Sequence, residues 1–204
     1  MLRVFPLLLL ALAAAPAQKR PFPHEDVFLM PRVGPPAFGP DGRFAVFSVT
    51  EPAYDPAQEV SDLWIVPTDG SAPPRRLTHT KGAESGAVFS PDGRMLAFTA
   101  RREGDEAPQV YLLPLDGGEA RRLTNRPTGA ASPQFRPDGK AVLYQSMIYP
   151  GARTDEDNRK AAAAQRARKD TARIFDAMPV RYWNAYVDER LPAIYVQSPE
   201  GPDE

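Results

Sequence analysis

Val88-Phe89-Ser90-Pro91-Asp92-Gly93-Arg94-Met95-Leu96-Ala97-Phe98-Thr99 decides the fold, because the same pattern occurs three times. It stands upstream as Ala37-Phe38-Gly39-Pro40-Asp41-Gly42-Arg43-Phe44-Ala45-Val46-Phe47-Ser48. Downstream it returns as Gln134-Phe135-Arg136-Pro137-Asp138-Gly139-Lys140-Ala141-Val142-Leu143-Tyr144-Gln145. The aspartates Asp41, Asp92 and Asp138 lie 51 and then 46 residues apart, a spacing typical of propeller blades. Within each copy, Pro presets φ at the second turn position, Asp tolerates the third, and Gly takes a positive φ at the end. The motif therefore reads as a hairpin with a Gly bulge, joining a short strand to a longer apolar one. Turn chemistry alone accounts for the three aspartates, so no calcium or catalytic role is read into them.

A second motif interleaves with the first. Asp62-Leu63-Trp64-Ile65-Val66-Pro67 leads through Asp69-Gly70 to Arg75-Arg76-Leu77-Thr78. Val110-Tyr111-Leu112-Leu113-Pro114 leads through Asp116-Gly117-Gly118 to Arg121-Arg122-Leu123-Thr124. Strands apolar on both faces suit a sheet covered on both sides, and the Arg-Arg-Leu-Thr segment suits an exposed outer strand. Four antiparallel strands per repeat make a propeller blade. Blades are expected over about 36–78, 86–124 and 132–204, after a lead-in at 18–35. In the third blade, Ile194-Tyr195-Val196 is aligned with Trp64-Ile65-Val66. The fold class is all-β: an incomplete propeller of two blades and most of a third. A ring takes about 4–8 blades, so the chain is expected to be part of a longer protein. Alone, it should be poorly soluble or self-associate, because its last blade exposes an apolar face and an unpaired strand edge.

Composition removes several function classes. With 24 Pro and 14 Gly in 204 residues, turns are abundant, yet 42% hydrophobic residues can still build a core. Lys and Arg number 25 against 26 Asp and Glu, which leaves no charge excess to attract nucleic acid. No Cys and only two His are present, so disulfides, thiolate centres and multi-His metal sites are excluded and no cofactor or metal is expected. At the N-terminus, Arg3, the apolar run Val4 to Ala15, and Ala15-Pro16-Ala17 read as a signal peptide over 1–17, cleaved before Gln18. That run is too short to span a bilayer as a mature helix. A periplasmic or secreted location without a membrane span follows.

Residues 148–190 interrupt the third blade as a helical insertion. Thr154 and Asp157 read as a capping box, with Asp155 and Glu156 placed for the helix dipole. Good helix formers run from Arg159 to Arg173, and Pro179 should end the helix. The helix reads as a solvated surface element, with a basic face for acidic ligands as the alternative. Beyond it, Tyr182 and Trp183 either pack the insertion on the propeller or face a ligand.

Ala172-Arg173-Ile174-Phe175-Asp176 and Pro179-Val180-Arg181-Tyr182-Trp183, set inside a Pro-Asp-Gly blade, resemble the prolyl oligopeptidase family. The branch is the secreted bacterial dipeptidyl-peptidase and acylaminoacyl-peptidase type. Glu25-Asp26-Val27 to Arg32-Val33-Gly34 is similar to the way those propellers begin, and the resemblance spans about 22–204. It implies an α/β-hydrolase partner domain carrying Gly-x-Ser-x-Gly, and a propeller that admits only short peptides. That motif does not occur in these 204 residues. Neither His24 nor His79 sits where a general base belongs, so no catalytic residue is assigned. The family's amine-holding acids have Asp155, Glu156, Asp188 and Glu189 as candidates, none singled out by a motif. The expected function is thus a non-catalytic N-terminal propeller of an exported serine peptidase. The alternative is a TolB-like periplasmic propeller acting as a protein-binding module, since those proteins share the Pro-Asp-Gly blade.

Overall fold

All three Pro-Asp-Gly turns close in the same way in the computed structural model, which describes residues 21–169, 181–182, 185–186 and 189–201. Gly42, Gly93 and Gly139 donate their N–H groups to the carbonyls of Gly39, Ser90 and Arg136, at 2.9, 2.9 and 2.8 Å. Their φ angles are 71°, 72° and 73°, the left-handed region that glycine enters without a Cβ penalty. Each aspartate accepts from the backbone N–H two residues on: Arg43 at 3.0 Å, Arg94 at 3.1 Å and Lys140 at 3.0 Å. Hydrogen bonds hold all three carboxyls below their ordinary value. The main cause is the Arg43 N–H for Asp41, the Ser90 hydroxyl for Asp92 and the Arg136 guanidinium for Asp138.

These turns space three antiparallel sheets. After a short helix α1 (His24–Phe28), the first sheet contains β1 (Arg32–Val33), β2 (Ala37–Phe38), β3 (Phe44–Glu51), β4 (Val60–Pro67) and β5 (Arg75–Arg76). β1 and β2 both pair with β3, followed outward by β4 and β5. The second sheet runs β6 (Glu84–Phe89), β7 (Met95–Ala100), β8 (Gln109–Pro114) and β9 (Arg121–Arg122) in spatial order. The third holds β10 (Ala131–Phe135), β11 (Val142–Ile148) and, later in the chain, β14 (Leu191–Gln197). Between β11 and β14 lie helix α2 (Asp155–Ala167) and a small hairpin of β12 (Arg181–Tyr182) and β13 (Ala185–Tyr186). The chain is therefore an incomplete propeller of two blades and most of a third, with a helical insertion in the third.

The blades stack face to face. Val46 and Leu63 of the first blade pack against Leu96, Phe98, Tyr111 and Leu113 of the second. The opposite face of the second, with Ala97, Val110 and Leu112, packs against Val142, Tyr144 and Tyr195 of the third. The central blade is covered on both sides, and its β8 is buried from Gln109 to Leu113. Both β6 and β10 carry a register shift, between Ser85 and Val88 and between Ala131 and Gln134. Gly86 (φ 63°) and Ser132 (φ 54°) occupy these bulges at the same distance before Phe89 and Phe135.

Two expectations are corrected. Tyr195 lies opposite Tyr144, just as Tyr111 lies opposite Phe98 and Trp64 opposite Phe47. Tyr195 therefore takes the place of Trp64 and Ile194 that of Leu63, one residue off the sequence alignment. A one-residue slip exchanges the faces of a strand, and the match of apolar residue types around Ile194 could not reveal it. Helix α2 ends at Ala167, with Arg168 extended at ψ 131°, whereas helix formers had been expected to carry it to Arg173. Only Asn158 of α2 is buried, so packing holds its first turns and nothing apolar extends it. Pro179 and residues 170–180 lie outside the described residues.

Candidate functional site

The end of the blades opposite the Pro-Asp-Gly turns holds the ion pairs of Asp62, Glu84, Asp105 and Asp155. It is built on a latch repeated in two blades. Asp62 of β4 is buried, and its carboxylate accepts from the Thr80 N–H at 3.0 Å and the Thr78 hydroxyl at 3.4 Å, and pairs with Arg76. Gln109 of β8 holds the equivalent place. Its Oε1 accepts from the Arg126 N–H at 3.0 Å and the Thr124 hydroxyl at 2.8 Å, and its Nε2 donates to the Arg126 carbonyl at 2.8 Å. Thr78 and Thr124 each accept from the backbone of the preceding strand, the Leu63 N–H of β4 and the Val110 N–H of β8, at 2.9 Å. Only the Arg-Arg part of Arg-Arg-Leu-Thr is strand. Its Thr is a buried fastener and not part of an exposed edge, and the fixed Leu-Thr offset in both repeats is the sequence signal for it.

The Gln109 latch aims an arginine. Arg126, fixed through its backbone by Gln109, lies over the Tyr195 ring at 3.7 Å from the centroid. Its Nη1 sits 3.0 Å from Oδ1 and 3.1 Å from Oδ2 of Asp155, the first residue of α2. One side chain thus joins the second blade, the third blade and the insertion. Helix α2 is further held by the capping box: Thr154 Oγ1 accepts from the Asp157 N–H at 3.1 Å, and Asp157 Oδ2 accepts from the Thr154 N–H at 2.9 Å. Buried Asn158 accepts from the Tyr149 N–H at 3.0 Å. At the far end, Arg166 lies 3.7 Å from Glu106 of the second blade.

A second cluster sits beside it. Asp105 accepts from the Arg102 N–H at 3.0 Å, the Tyr111 hydroxyl at 2.7 Å and Arg122 Nη1 at 2.8 Å. Burial pushes its carboxyl up, but these donors outweigh burial and leave it below the ordinary aspartate value. Tyr111 is pushed up to about 12, by burial first and by the Asp105 hydrogen bond next. Its phenol therefore stays protonated and donating at neutral pH. Arg102 lies over the Tyr111 ring at 4.5 Å and donates to the fully buried Glu84 at 2.9 Å.

Asp155 is engaged by Arg126, while Glu156 is exposed on α2 beside Arg159 and Lys160, at 3.6 and 3.9 Å. Glu189 is exposed just before β14. Tyr182 belongs to the β12–β13 hairpin, and Asp188 and Trp183 lie outside the described residues. His24 stacks on Phe28 and bonds the Tyr54 hydroxyl at 3.1 Å, whereas His79 is exposed between β5 and β6. No group of three or more His, Asp or Glu among the described residues is placed to hold a metal. Nor is any described helix long and apolar enough to cross a membrane.

Sheets that repeat in one order and stack face to face, with their loops gathered at one end, define the class: a β-propeller domain. Residues 58–169 match the family described as the tricorn protease N-terminal beta propeller domain, and the chain belongs to that family. It is 35% identical over 134 residues to the uncharacterized peptidase YuxL of Bacillus subtilis, covering 65% of this chain and 20% of that one. It is 27% identical over 174 residues to dipeptidyl-peptidase 5 of Porphyromonas endodontalis, covering 85% of this chain and 24% of that one. Among solved structures, the Pyrococcus horikoshii acylaminoacyl peptidase superposes with a TM-score of 0.61 at 13% identity, over 86% of this chain and 24% of that one; this likeness concerns the fold. The chain spans a quarter or less of the length of these relatives.

Proposed function

We propose that this chain is the N-terminal propeller part of an exported serine peptidase of the dipeptidyl-peptidase or acylaminoacyl-peptidase type, without a catalytic triad of its own. The single observation that carries the reading is the long likeness to a dipeptidyl-peptidase, 174 residues and 85% of the chain. Such a length takes in more than the Pro-Asp-Gly blades. In this reading a hydrolase domain later in the same protein does the chemistry, and the propeller limits entry to short peptides. The insertion stands at the loop-rich end, where Arg126 pins it. Among its acids, Glu156, Asp188 and Glu189 are the ones that would meet a substrate's amino group, because Asp155 is already engaged by Arg126. Export rests on the signal-like residues 1–17 and places the protein in the periplasm or outside the cell.

The test is the reading frame beyond codon 204. It should continue into further Pro-Asp-Gly blades, then Gly-x-Ser-x-Gly and a late His. Further blades with no hydrolase motif would replace this reading with a TolB-like binding module, and a stop at codon 205 would overturn it.

A further inference from the structure

We propose that Asp116-Gly117, in the hairpin between β8 and β9, is a modification site where the aspartate isomerises through a succinimide to isoaspartate. Asp-Gly occurs five times in the chain, at Asp41, Asp69, Asp92, Asp116 and Asp138. In the rearrangement the glycine backbone nitrogen attacks Cγ of the aspartic acid. An N–Cγ bond forms, and the acid's hydroxyl leaves with the amide proton as water. Water then opens the five-membered ring. Attack at Cγ restores aspartate, whereas attack at the main-chain carbonyl carbon leaves the chain running through Cβ and Cγ. The water released is returned, and no oxidant or other reactant is consumed. A carboxyl held by donors and an amide N–H held by an acceptor both resist the first step.

Four of the five pairs are held at both ends. The N–H groups of Gly42, Gly93 and Gly139 donate within their turns at 2.9, 2.9 and 2.8 Å, and that of Gly70 donates to the Pro67 carbonyl at 3.4 Å. Each of the four aspartates accepts from the backbone N–H two residues on, Ser71 serving Asp69 at 2.9 Å. Hydrogen bonds hold all four carboxyls below their ordinary value, with the Ser71 hydroxyl as the first cause for Asp69. An ionised carboxylate is the poorer electrophile.

The fifth pair is released at both ends. Its hairpin starts as the sister hairpin of the first blade does: the Thr68 and Leu115 N–H groups donate to the Arg43 and Arg94 carbonyls at 2.9 and 2.8 Å. The two then diverge, because Gly118 stands where the first blade has Ser71. Gly117 and Gly118 take φ of 125° and 110°, against 72° for Gly70, a path that two adjacent glycines can follow. Among the described residues, the Asp116 carboxylate has no hydrogen-bond or ion-pair partner, and the Gly117 N–H has no acceptor. Asp116 and Gly117 are both exposed, and no neighbour crowds the glycine. The hairpin belongs to the central blade, which already has a blade packed on each face; further blades would flank the first and third. Isoaspartate here lengthens by one backbone atom the link to β9, which carries Arg122 to Asp105. The site goes beyond the peptidase reading and does not depend on it.

The product of the whole reading frame, kept folded at neutral pH and sampled over time, tests this by peptide mapping with electron-transfer fragmentation, which separates the two linkages. Isoaspartate at Asp116 should accumulate at least about tenfold faster than at any of the other four, the factor that about 1.4 kcal/mol of released hydrogen bonding gives. In denaturant the five peptides should react at comparable rates. Asp116→Glu, which would have to close a six-membered ring, should abolish the product at that position in the folded protein. Absence of isoaspartate at Asp116 in the folded protein would overturn the proposal, as would equal accumulation at Asp41, Asp69, Asp92 or Asp138. Four peptides that stay as slow in denaturant as in the folded protein would overturn it too, because their protection would not come from the fold. None of these readouts involves peptidase activity.

Discussion

Replacing Arg126 by Met keeps most of the side-chain volume and removes the charge that joins two blades to the insertion. The guanidinium lies 3.7 Å from the Tyr195 centroid, and its side chain is only 14% exposed. A desolvated cation–π contact contributes about 1–2 kcal/mol. Asp155 is 33% exposed, so solvent screening limits the ion pair to about 0.5–1 kcal/mol. Arg126→Met should therefore cost about 1.5–3 kcal/mol, a large share of the roughly 5–15 kcal/mol that stabilises a domain. Urea unfolding followed by fluorescence would show a lower midpoint at constant m. Double-mutant cycles apportion the loss: about 1 kcal/mol of coupling with Tyr195→Leu and a smaller coupling with Asp155→Asn. Hydrogen exchange locates it. The Tyr149 and Asp157 amides, held by Asn158 and Thr154, should lose more protection than the Leu112 amide in the covered central blade. Couplings below about 0.3 kcal/mol in both cycles, or uniform loss of protection, would refute the reasoning.

Three further outcomes follow from single positions. Asp105→Asn should destabilise the chain by about 1.5–3 kcal/mol, the usual worth of a hydrogen bond to a charged group. It should also flatten the acid limb of a stability–pH curve. Because the folded carboxyl titrates below its ordinary 3.8, its contribution is complete above that pH and is lost as the pH falls through the lower folded value; an acid limb identical to the parent's would contradict this. Thr124→Val strips the Val110 N–H of its acceptor and Gln109 of a donor, at a cost of about 1–3 kcal/mol, while Thr124→Ser should restore most of the midpoint shift. Ser132→Gly should raise stability by about 0.5–1 kcal/mol, since a non-glycine residue pays for φ 54°, whereas Gly86→Ala in the sister bulge should lower it; thermal melts that move in the opposite sense would count against the strain argument.

The blades were legible because turns are local. Pro91, Asp92 and Gly93 dictate their own geometry, and their recurrence marks where each longer strand begins. The capping box at Thr154 and Asp157 was legible for the same reason. Three features were not. The register of β14 depends on what it pairs with after a long insertion, and Ile194 and Trp64 are both apolar, so composition could not separate neighbouring alignments. The extent of α2 depends on packing that the Ala-rich run from Ala161 does not supply. The Arg126, Asp155 and Tyr195 cluster joins residues far apart in sequence that meet only once the second and third blades stack. The acids chosen by family resemblance were read one at a time, and the arginine that occupies Asp155 carried no motif to announce it.

The most direct test of the proposed peptidase function is labelling of the product of the whole reading frame with a fluorophosphonate that marks activated serines. The account predicts one labelled serine, C-terminal to residue 204 within Gly-x-Ser-x-Gly, and no label on the 204-residue chain under the same conditions. A label within the 204 residues, or none anywhere in a folded longer product, would contradict it.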